Sequence, residues 1–295
     1  MAQYSIKDIE NLSGIKAHTL RIWEQRYNLV QPHRTDTNIR YYSDNDLKLI
    51  LNIVLLSKQG YRIGAIAKMS NDQIKKSVSN LTTTDLKYEV HINELTQSMI
   101  DVDEDRFEKI IATCILQYGL QQTMLCVVYP FLIKIGVMWT TGGVNPAQEH
   151  FITNLIRQKI IVAIDGQVVK YNENTKHCLL FLPEGELHEI SLLFLSYLLK
   201  SRNHRITYLG MSVPLNDVVE VVQFKKPDAI YTIFTSTPTD EDIDAYLQAL
   251  GEQFANTPVF ISGNRLASYN STPALNLHLF RKAEDILHHI NALQA

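Results

Sequence analysis

Residues 6–50 read IKDIENLSGIKAHTLRIWEQRYNLVQPHRTDTNIRYYSDNDLKLI, and they lay out two short helices, a hairpin and a third helix in that order. Ser5 stands at a helix N-cap position with Asp8 three residues on, the pattern of a capping box. Ile9 and Leu12 supply the inward face, and Ser13-Gly14 turns the chain. A second helix is predicted over about 16–27, with Ala17, Leu20, Glu24 and Tyr27 along one face and Thr19, Arg21 and Arg26 elsewhere. Two short helices joined by a glycine-containing turn are the helix-turn-helix pattern, whose second helix enters the major groove of DNA.

Pro32-His33-Arg34 and Ile39-Arg40-Tyr41-Tyr42 flank a polar tip, Thr35-Asp36-Thr37-Asn38, which predicts a hairpin wing. Arg34 and Arg40, one on each arm, and the Tyr41 hydroxyl suit contacts to phosphate. For Trp23, Tyr27 and Tyr42, core packing is the competing reading. Ser43-Asn45-Asp46 then opens a third helix whose apolar face is Leu47, Ile50, Leu51, Val54 and Leu55. Gly60-Tyr61-Arg62-Ile63 breaks the chain before another short helix at 64–69.

Charge divides the chain in the same place. Residues 1–76 hold 12 Lys+Arg against 7 Asp+Glu, a net of +5, while residues 77–295 hold 16 against 24, a net of −8. A basic head on an acidic body directs only the head toward a polyanion. The 295 residues predict two or three domains. No apolar run of about 18 residues is apparent, so no membrane span is expected, and the first residues lack a secretory pattern. Cys114, Cys126 and Cys178 are far apart with no CxxC pair, which argues against disulfides or structural zinc and fits the cytoplasm.

Residues 76–86, with Leu81-Thr82-Thr83-Thr84, read as a linker. Four amphipathic helices are then expected within 87–170, a helical bundle. The first is marked by Ile92, Leu95 and Met99. The second is capped by Asp103, with Phe107, Ile110, Ile111, Cys114 and Ile115 inward. The third covers 120–139, kinked at Pro130, and the fourth starts at Asn145-Pro146 after Gly142-Gly143. Trp139 and the pair Glu149-His150 offer an indole and directed hydrogen bonds at neighbouring helix ends. Taken alone, they read rather as core packing and helix-dipole compensation.

From about 176 the period changes. Apolar strands at 177–182, 205–210, 229–233, 259–263 and 277–280 alternate with helices at 187–200, 215–224, 240–254 and 284–293. That alternation predicts a doubly wound parallel sheet, which binds ligands at the carboxyl ends of its strands. Glu186-Leu187-His188 falls in the loop after the first strand.

The motifs TLRIWEQRY, the Pro-x-Arg wing start, IRYYS and KQGYRIGAIAKM stand in the order of the winged-helix domain of MerR-family regulators, and residues 3–75 resemble that domain. The resemblance implies DNA contacts at Thr19, Arg21, Arg26, Tyr27, Arg34, Arg40 and Tyr41. The segment LFLPEGELHEISLLFLSYLLK (180–200) resembles cobalamin-binding modules with their acid-x-His-x-x-Gly loop. Together the order resembles MerR-family regulators with a C-terminal cobalamin-binding domain, the CarH/CarA/LitR type. That implies a multidomain α and α/β fold: winged helix-turn-helix at 1–75, bundle cap at 87–170, and a flavodoxin-like cobalamin-binding sheet at 176–295. It also implies His188 as the cobalt ligand from below, oriented by Glu186. Trp139, Glu149 and His150 would lie at the upper face, and Ser191, Ser236 and Gly263 would line the nucleotide-tail groove.

Three positions depart from that pattern. Ser191 and Ser262 replace expected glycines, which narrows the groove, and Thr140 replaces the histidine that follows the tryptophan in light-sensing members. A light response by that ligand exchange is not supported. The function implied is a transcriptional repressor, homo-oligomeric on a double-stranded operator, controlled by adenosylcobalamin or methylcobalamin, with light that breaks the Co–C bond as one route of control. The alternatives are a MerR-type regulator with a vestigial pocket governed by a protein partner, and a cobalamin-dependent methyltransferase or mutase. Against an enzyme, no segment is left for a substrate domain of catalytic size.

Overall fold

Ser5 caps the first helix, α1 (Ile6–Ser13), by the expected reciprocal bonds. Its hydroxyl accepts from the Asp8 N–H, and the Asp8 carboxylate accepts from the Ser5 N–H. Gly14, at φ 73°, turns the chain into α2 (Ala17–Tyr27), a left-handed position that costs glycine nothing. Leu20 and Trp23 of α2 are buried. Strand β1 (His33–Arg34) pairs antiparallel with β2 (Arg40–Tyr41), Arg34 opposite Arg40, so the wing is present. Ser43 and Asp46 form a second capping box at α3 (Asp44–Lys58). The expected face of α3 is buried, and so are Ile53 and Leu56. α3 is apolar on more than one side because helices pack on more than one side of it. Two short helices follow, α4 (Ile63–Ile66) and α5 (Asn71–Ser79).

This computed structural model describes residues 3–35, 38–79, 84–140, 143–239, 241–266, 269 and 272–293. The wing-tip residues 36 and 37, Gly142, Asp240 and positions 80–83 of the expected linker lie outside them. The linker reading from 76 also needs trimming, since α5 stays helical through Ser79 with Ile74 and Val78 buried. α6 (Thr84–Asp101) then begins the bundle.

α6 packs against α7 (Glu104–Thr123), capped by Asp103, and α8 (Tyr129–Thr140). The kink expected at Pro130 is replaced by two irregularities ahead of it. Gly119 leaves helical geometry at φ 74°, ψ 162°, and Met124–Val128 widen into a π-helical turn whose Tyr129 N–H reaches the Met124 carbonyl. Proline has no N–H to give and crowds the preceding turn, so the widened turn absorbs the misfit. The run Glu104–Trp139 is, contrary to the sequence expectation, long and apolar enough by length and composition to pass as a membrane span. Here Phe107, Ile110, Ile111, Cys114, Leu120, Val127, Phe131 and Ile135 along it are buried in packing. α9 (Pro146–Asp165) starts with proline at its first position, as expected.

The chain divides into two compact units, Met1–Asn154 and Leu155–Ala295. Within the first, the winged helix rests directly on the bundle. α1 packs on α8 and α3 on α6, the Tyr4 hydroxyl donates to the Gly143 carbonyl at 2.9 Å, and Lys58 pairs with Glu89 at 2.8 Å.

The second unit is a five-stranded parallel sheet. Its elements are β3 (His177–Pro183), α10 (Ile190–Lys200), β4 (Arg205–Val213), α11 (Leu215–Lys225), β5 (Ala229–Ile233), α12 (Ile243–Gln253), β6 (Val259–Ser262), β7 (Leu277–Phe280) and α13 (Ala283–Ala292). The strand order is β4-β3-β5-β6-β7, all parallel, the flavodoxin-like winding. Leu179, Phe181, Ile230, Val259, Ile261 and Leu277 line one face of the core, under Val218, Leu247 and Leu250. Each such side chain removed from water contributes roughly 1.5–3 kcal/mol. The largest boundary shifts are at α12, which begins at Ile243 rather than 240, and at α10 and β4. α10 starts at Ile190 rather than 187, because 186–189 are spent on a loop. β4 continues past Gly210 to Val213, where positive φ at Gly210 and Ser212 accompanies a shift in register against β3.

Candidate functional site

The chain leaves β3 toward β4 on one side and reaches β5 on the other, so the carboxyl ends of β3 and β5 form the switch point of the sheet. The loop after β3 carries Glu186, Leu187 and His188, and the loop after β5 carries Thr235, Ser236 and Thr237. Glu186 is fully buried. Its carboxylate accepts from the backbone N–H groups of Thr235 at 3.0 Å, Ser236 at 2.6 Å and Thr237 at 3.0 Å, and from the Ser236 hydroxyl at 3.2 Å. On its other side it accepts from the His188 N–H at 3.0 Å and meets the ring Nδ1 at 2.5 Å. Burial alone pushes this carboxyl upward. The Ser236 and Thr237 amides and His188 more than reverse that and hold it at about 2. It is a fixed anion.

His188 is the opposite, with a side chain 61% exposed. With Nδ1 engaged by Glu186, Nε2 is the nitrogen left to take a further partner, the geometry of an imidazole oriented for a metal. Leu187 and Met211 are exposed apolar side chains on the flanking segments. Arg265 clamps the far loop, its Nε and Nη2 donating to the Ser236 carbonyl at 3.1 and 2.9 Å. Thus Glu186, His188 and Ser236 are brought together. Ser191 sits half-buried in the first turn of α10. Gly263, at φ 124°, has a structural reason to be glycine: a Cβ there would lie 2.2 Å from the Phe234 carbonyl oxygen.

Trp139, Glu149 and His150 belong to the first unit. Trp139 is half-exposed near the end of α8. Glu149 and His150 open α9, with Oε2 and Nδ1 2.9 Å apart and the His150 ring largely exposed. Two residues that sequence reasoning missed support the His188 loop, one within it and one from α9. Glu189 is buried and pairs with Arg157, Nε to Oε2, at 2.6 Å. The acid flanking His188 was the available signal for Glu189; Arg157, 32 positions away, has no local signal.

In the winged unit, Arg21, Arg26 and Arg34 are exposed, and Thr19, Tyr27, Arg40 and Tyr41 are half-buried. The Arg26 guanidinium lies 5.5 Å from the Tyr27 ring centroid. Arg34 donates to the Asn38 side chain at 2.6 Å, which stiffens the wing. Arg40 lies 3.6 Å from Glu24, whose carboxylate also receives the Tyr42 hydroxyl, so its charge is partly spent inside the unit. Tyr41 stacks on His33 with centroids 5.3 Å apart. Trp23 and Tyr42 are buried core residues.

Residues 4–73 match the MerR HTH family regulatory protein model, and residues 91–163, the bundle helices, match a B12 binding domain. The chain is 24% identical over 291 residues to the HTH-type transcriptional repressor CarH of Myxococcus xanthus, covering 96% of each chain. It is also 24% identical over 261 residues to the repressor CarA of the same organism, covering 88% of this chain and 85% of that one. Among solved structures, the Methanosarcina barkeri monomethylamine corrinoid protein aligns with a TM-score of 0.50 at 13% identity, covering 67% of this chain and 96% of that one, a likeness of fold. The chain thus carries a stretch that matches a MerR HTH model ahead of one that matches a B12 binding domain, and it is similar over nearly its whole length to the repressors CarH and CarA.

Proposed function

We propose that this protein is a DNA-binding transcriptional repressor whose operator affinity is set by cobalamin held at His188. The observation that carries the reading is the Glu186–His188 pair. A buried carboxylate held at about 2 takes Nδ1 and leaves an exposed imidazole with Nε2 available. That donor set fits a cobalt ion: His188 would hold the metal of a bound cobalamin through Nε2, and the cofactor would supply the cobalt chemistry by which one effector is told from another. Glu186 fixes the tautomer and the ring plane, and the 235–237 loop fixes Glu186. Ser191, Ser236 and Gly263 are proposed contacts to the nucleotide tail, and Trp139, Glu149 and His150 to the upper side of the same cofactor.

On DNA, Thr19, Arg21, Arg26 and Tyr27 of α2 are proposed for the major groove and its flanking phosphates, with Arg34, Arg40 and Tyr41 of the wing on the backbone. One such unit makes few phosphate contacts, so assembly of the chain into a homo-oligomer on one operator multiplies affinity without new contacts. The protein acts in the cytoplasm and transforms no substrate.

The test is a titration of the purified chain with adenosylcobalamin and methylcobalamin in darkness, followed by operator binding. A corrin absorption shift that is lost in His188→Ala, with a change in operator affinity, is the expected outcome. No shift and no change in assembly end the reading. Buried Ser262 beside tightly packed Gly263 favours a second reading, a vestigial pocket with control by a docked protein. Operator binding indifferent to cobalamin selects it.

A further inference from the structure

His188 is bracketed by two buried carboxylates that pull in different directions. Glu186 ties the leading end of the loop to the segment after β5. Glu189 ties the trailing end elsewhere: its Oε2 receives Arg157 Nε at 2.6 Å, and its Oε1 receives the Tyr208 hydroxyl at 3.1 Å. Burial and then the adjacent Glu189 push the Tyr208 phenol well above its ordinary range, so it stays a donor. The backbone between the anchors is short and closed on itself. The Glu186 N–H reaches the Pro183 carbonyl at 2.9 Å, the Glu189 N–H the Leu187 carbonyl at 2.9 Å, and the Ser212 N–H the Glu186 carbonyl at 3.2 Å.

An imidazole on so short a segment takes its direction from both ends. Glu186 makes the ring's short hydrogen bond at the leading end, and the partners of Glu189 add a side-chain anchor at the trailing end. A carboxylate only 8% exposed has to be paired to stay in place, and Arg157 is the cation that pairs it.

We propose that Arg157, acting through Glu189 and Tyr208, is the positioning residue that aims His188 Nε2 at the metal. This deepens the cobalamin reading and rests on it. Neither Arg157 nor Glu189 touches the metal. Their effect is on how well the ring presents its lone pair.

The experiment titrates adenosylcobalamin into the full chain and into Arg157→Met, Arg157→Lys and the pair Arg157→Met/Glu189→Gln. It follows the absorption bands that report nitrogen coordination beneath cobalt, together with a melting curve of each protein without cofactor. Wild type is expected to show the nitrogen-coordinated spectrum. Arg157→Met is expected to bind about 10–100-fold more weakly, the usual cost of losing a partner behind a metal ligand, and to lose that spectrum. Arg157→Lys should recover part of both. If Arg157→Met does not fold, the double variant, which removes the unpaired charge, decides: weak binding without nitrogen coordination supports the proposal, and wild-type binding overturns it. An Arg157→Met protein with wild-type affinity and spectrum overturns the proposal alone. A wild-type chain that takes up no adenosylcobalamin overturns the proposed function, and this inference with it.

Discussion

In the winged unit the candidate contacts Arg21, Arg26 and Arg34 stand in solvent and hold little of the fold. In the sheet unit Glu186 has no exposed surface, and its partners come from two loops about 50 residues apart. The contacts proposed for the head are charges presented on a scaffold that stands without them. The sheet site is made of the same hydrogen bonds that close the ends of β3 and β5. Changing a head residue should therefore alter binding and spare stability, whereas changing the sheet site should alter both.

The largest expected effect is at Glu186. Its folded carboxyl lies at about 2 against an ordinary 4.5, a difference of about 3 kcal/mol. A carboxyl lowered by folding stabilises the protein above its unfolded pKa, and that stabilisation is lost as pH falls through the folded value. Wild type should therefore weaken between about pH 4.5 and 2. Glu186→Gln should be less stable at pH 7 by about 3 kcal/mol and nearly flat across that window. Urea unfolding at pH 7, 4 and 2.5 measures both, and a Gln variant as stable as wild type at pH 7 would erase the contrast.

Arg34→Ala tests the other half. Loss of one phosphate contact should reduce operator affinity about tenfold at low salt and lower the salt slope by about one, with an unchanged melting curve. A lost fold would show that the wing is structural. Next in size is the cap. Ser43→Ala removes the hydroxyl that accepts the Asp46 N–H and should cost about 1 kcal/mol. That fall in melting temperature marks where the head does depend on a polar side chain.

The smallest effect sharpens the sheet side. His289 Nε2 of α13 and the Tyr231 hydroxyl share a hydrogen bond at 3.1 Å, and burial, then neighbouring His278, lower the His289 pKa below 6.5. Protonation is disfavoured in the fold, so stability is full above pH 6.5 and declines below it. His289→Phe should reduce that slope in melting curves between pH 7 and 5.5, with His177 and His204, also lowered by burial, supplying the remainder. A slope unchanged by the substitution would place the titration elsewhere.

Much of this was readable in the chain because it is local. The capping boxes Ser5–Asp8 and Ser43–Asp46 complete themselves within one turn, Pro146 opens α9, and strands β5 and β7 begin and end at the predicted residues. Glu186-Leu187-His188 was legible as a loop motif after an apolar strand. The widened turn ahead of Pro130 was not, because proline reveals a missing donor but not which preceding turn relaxes. Nor was the second buried side of α3. Ile53 and Leu56 look like surplus apolar residues until the several helices packed on α3 are in place.

The sequence by itself determined most of the elements, their order, and the chemistry on offer: arginines on a wing, and an imidazole beside an acid. Periodicity and capping act over a few residues, and the chain carries them openly. Only the tertiary structure decided which groups are partners. Glu186 became a fixed anion because the amides of Thr235, Ser236 and Thr237 arrive across the switch point, and Glu189 acquired Arg157 from a helix 32 residues earlier. Hydrogen bonds of about 3 Å between such distant positions exist only once the sheet has brought its strand ends together.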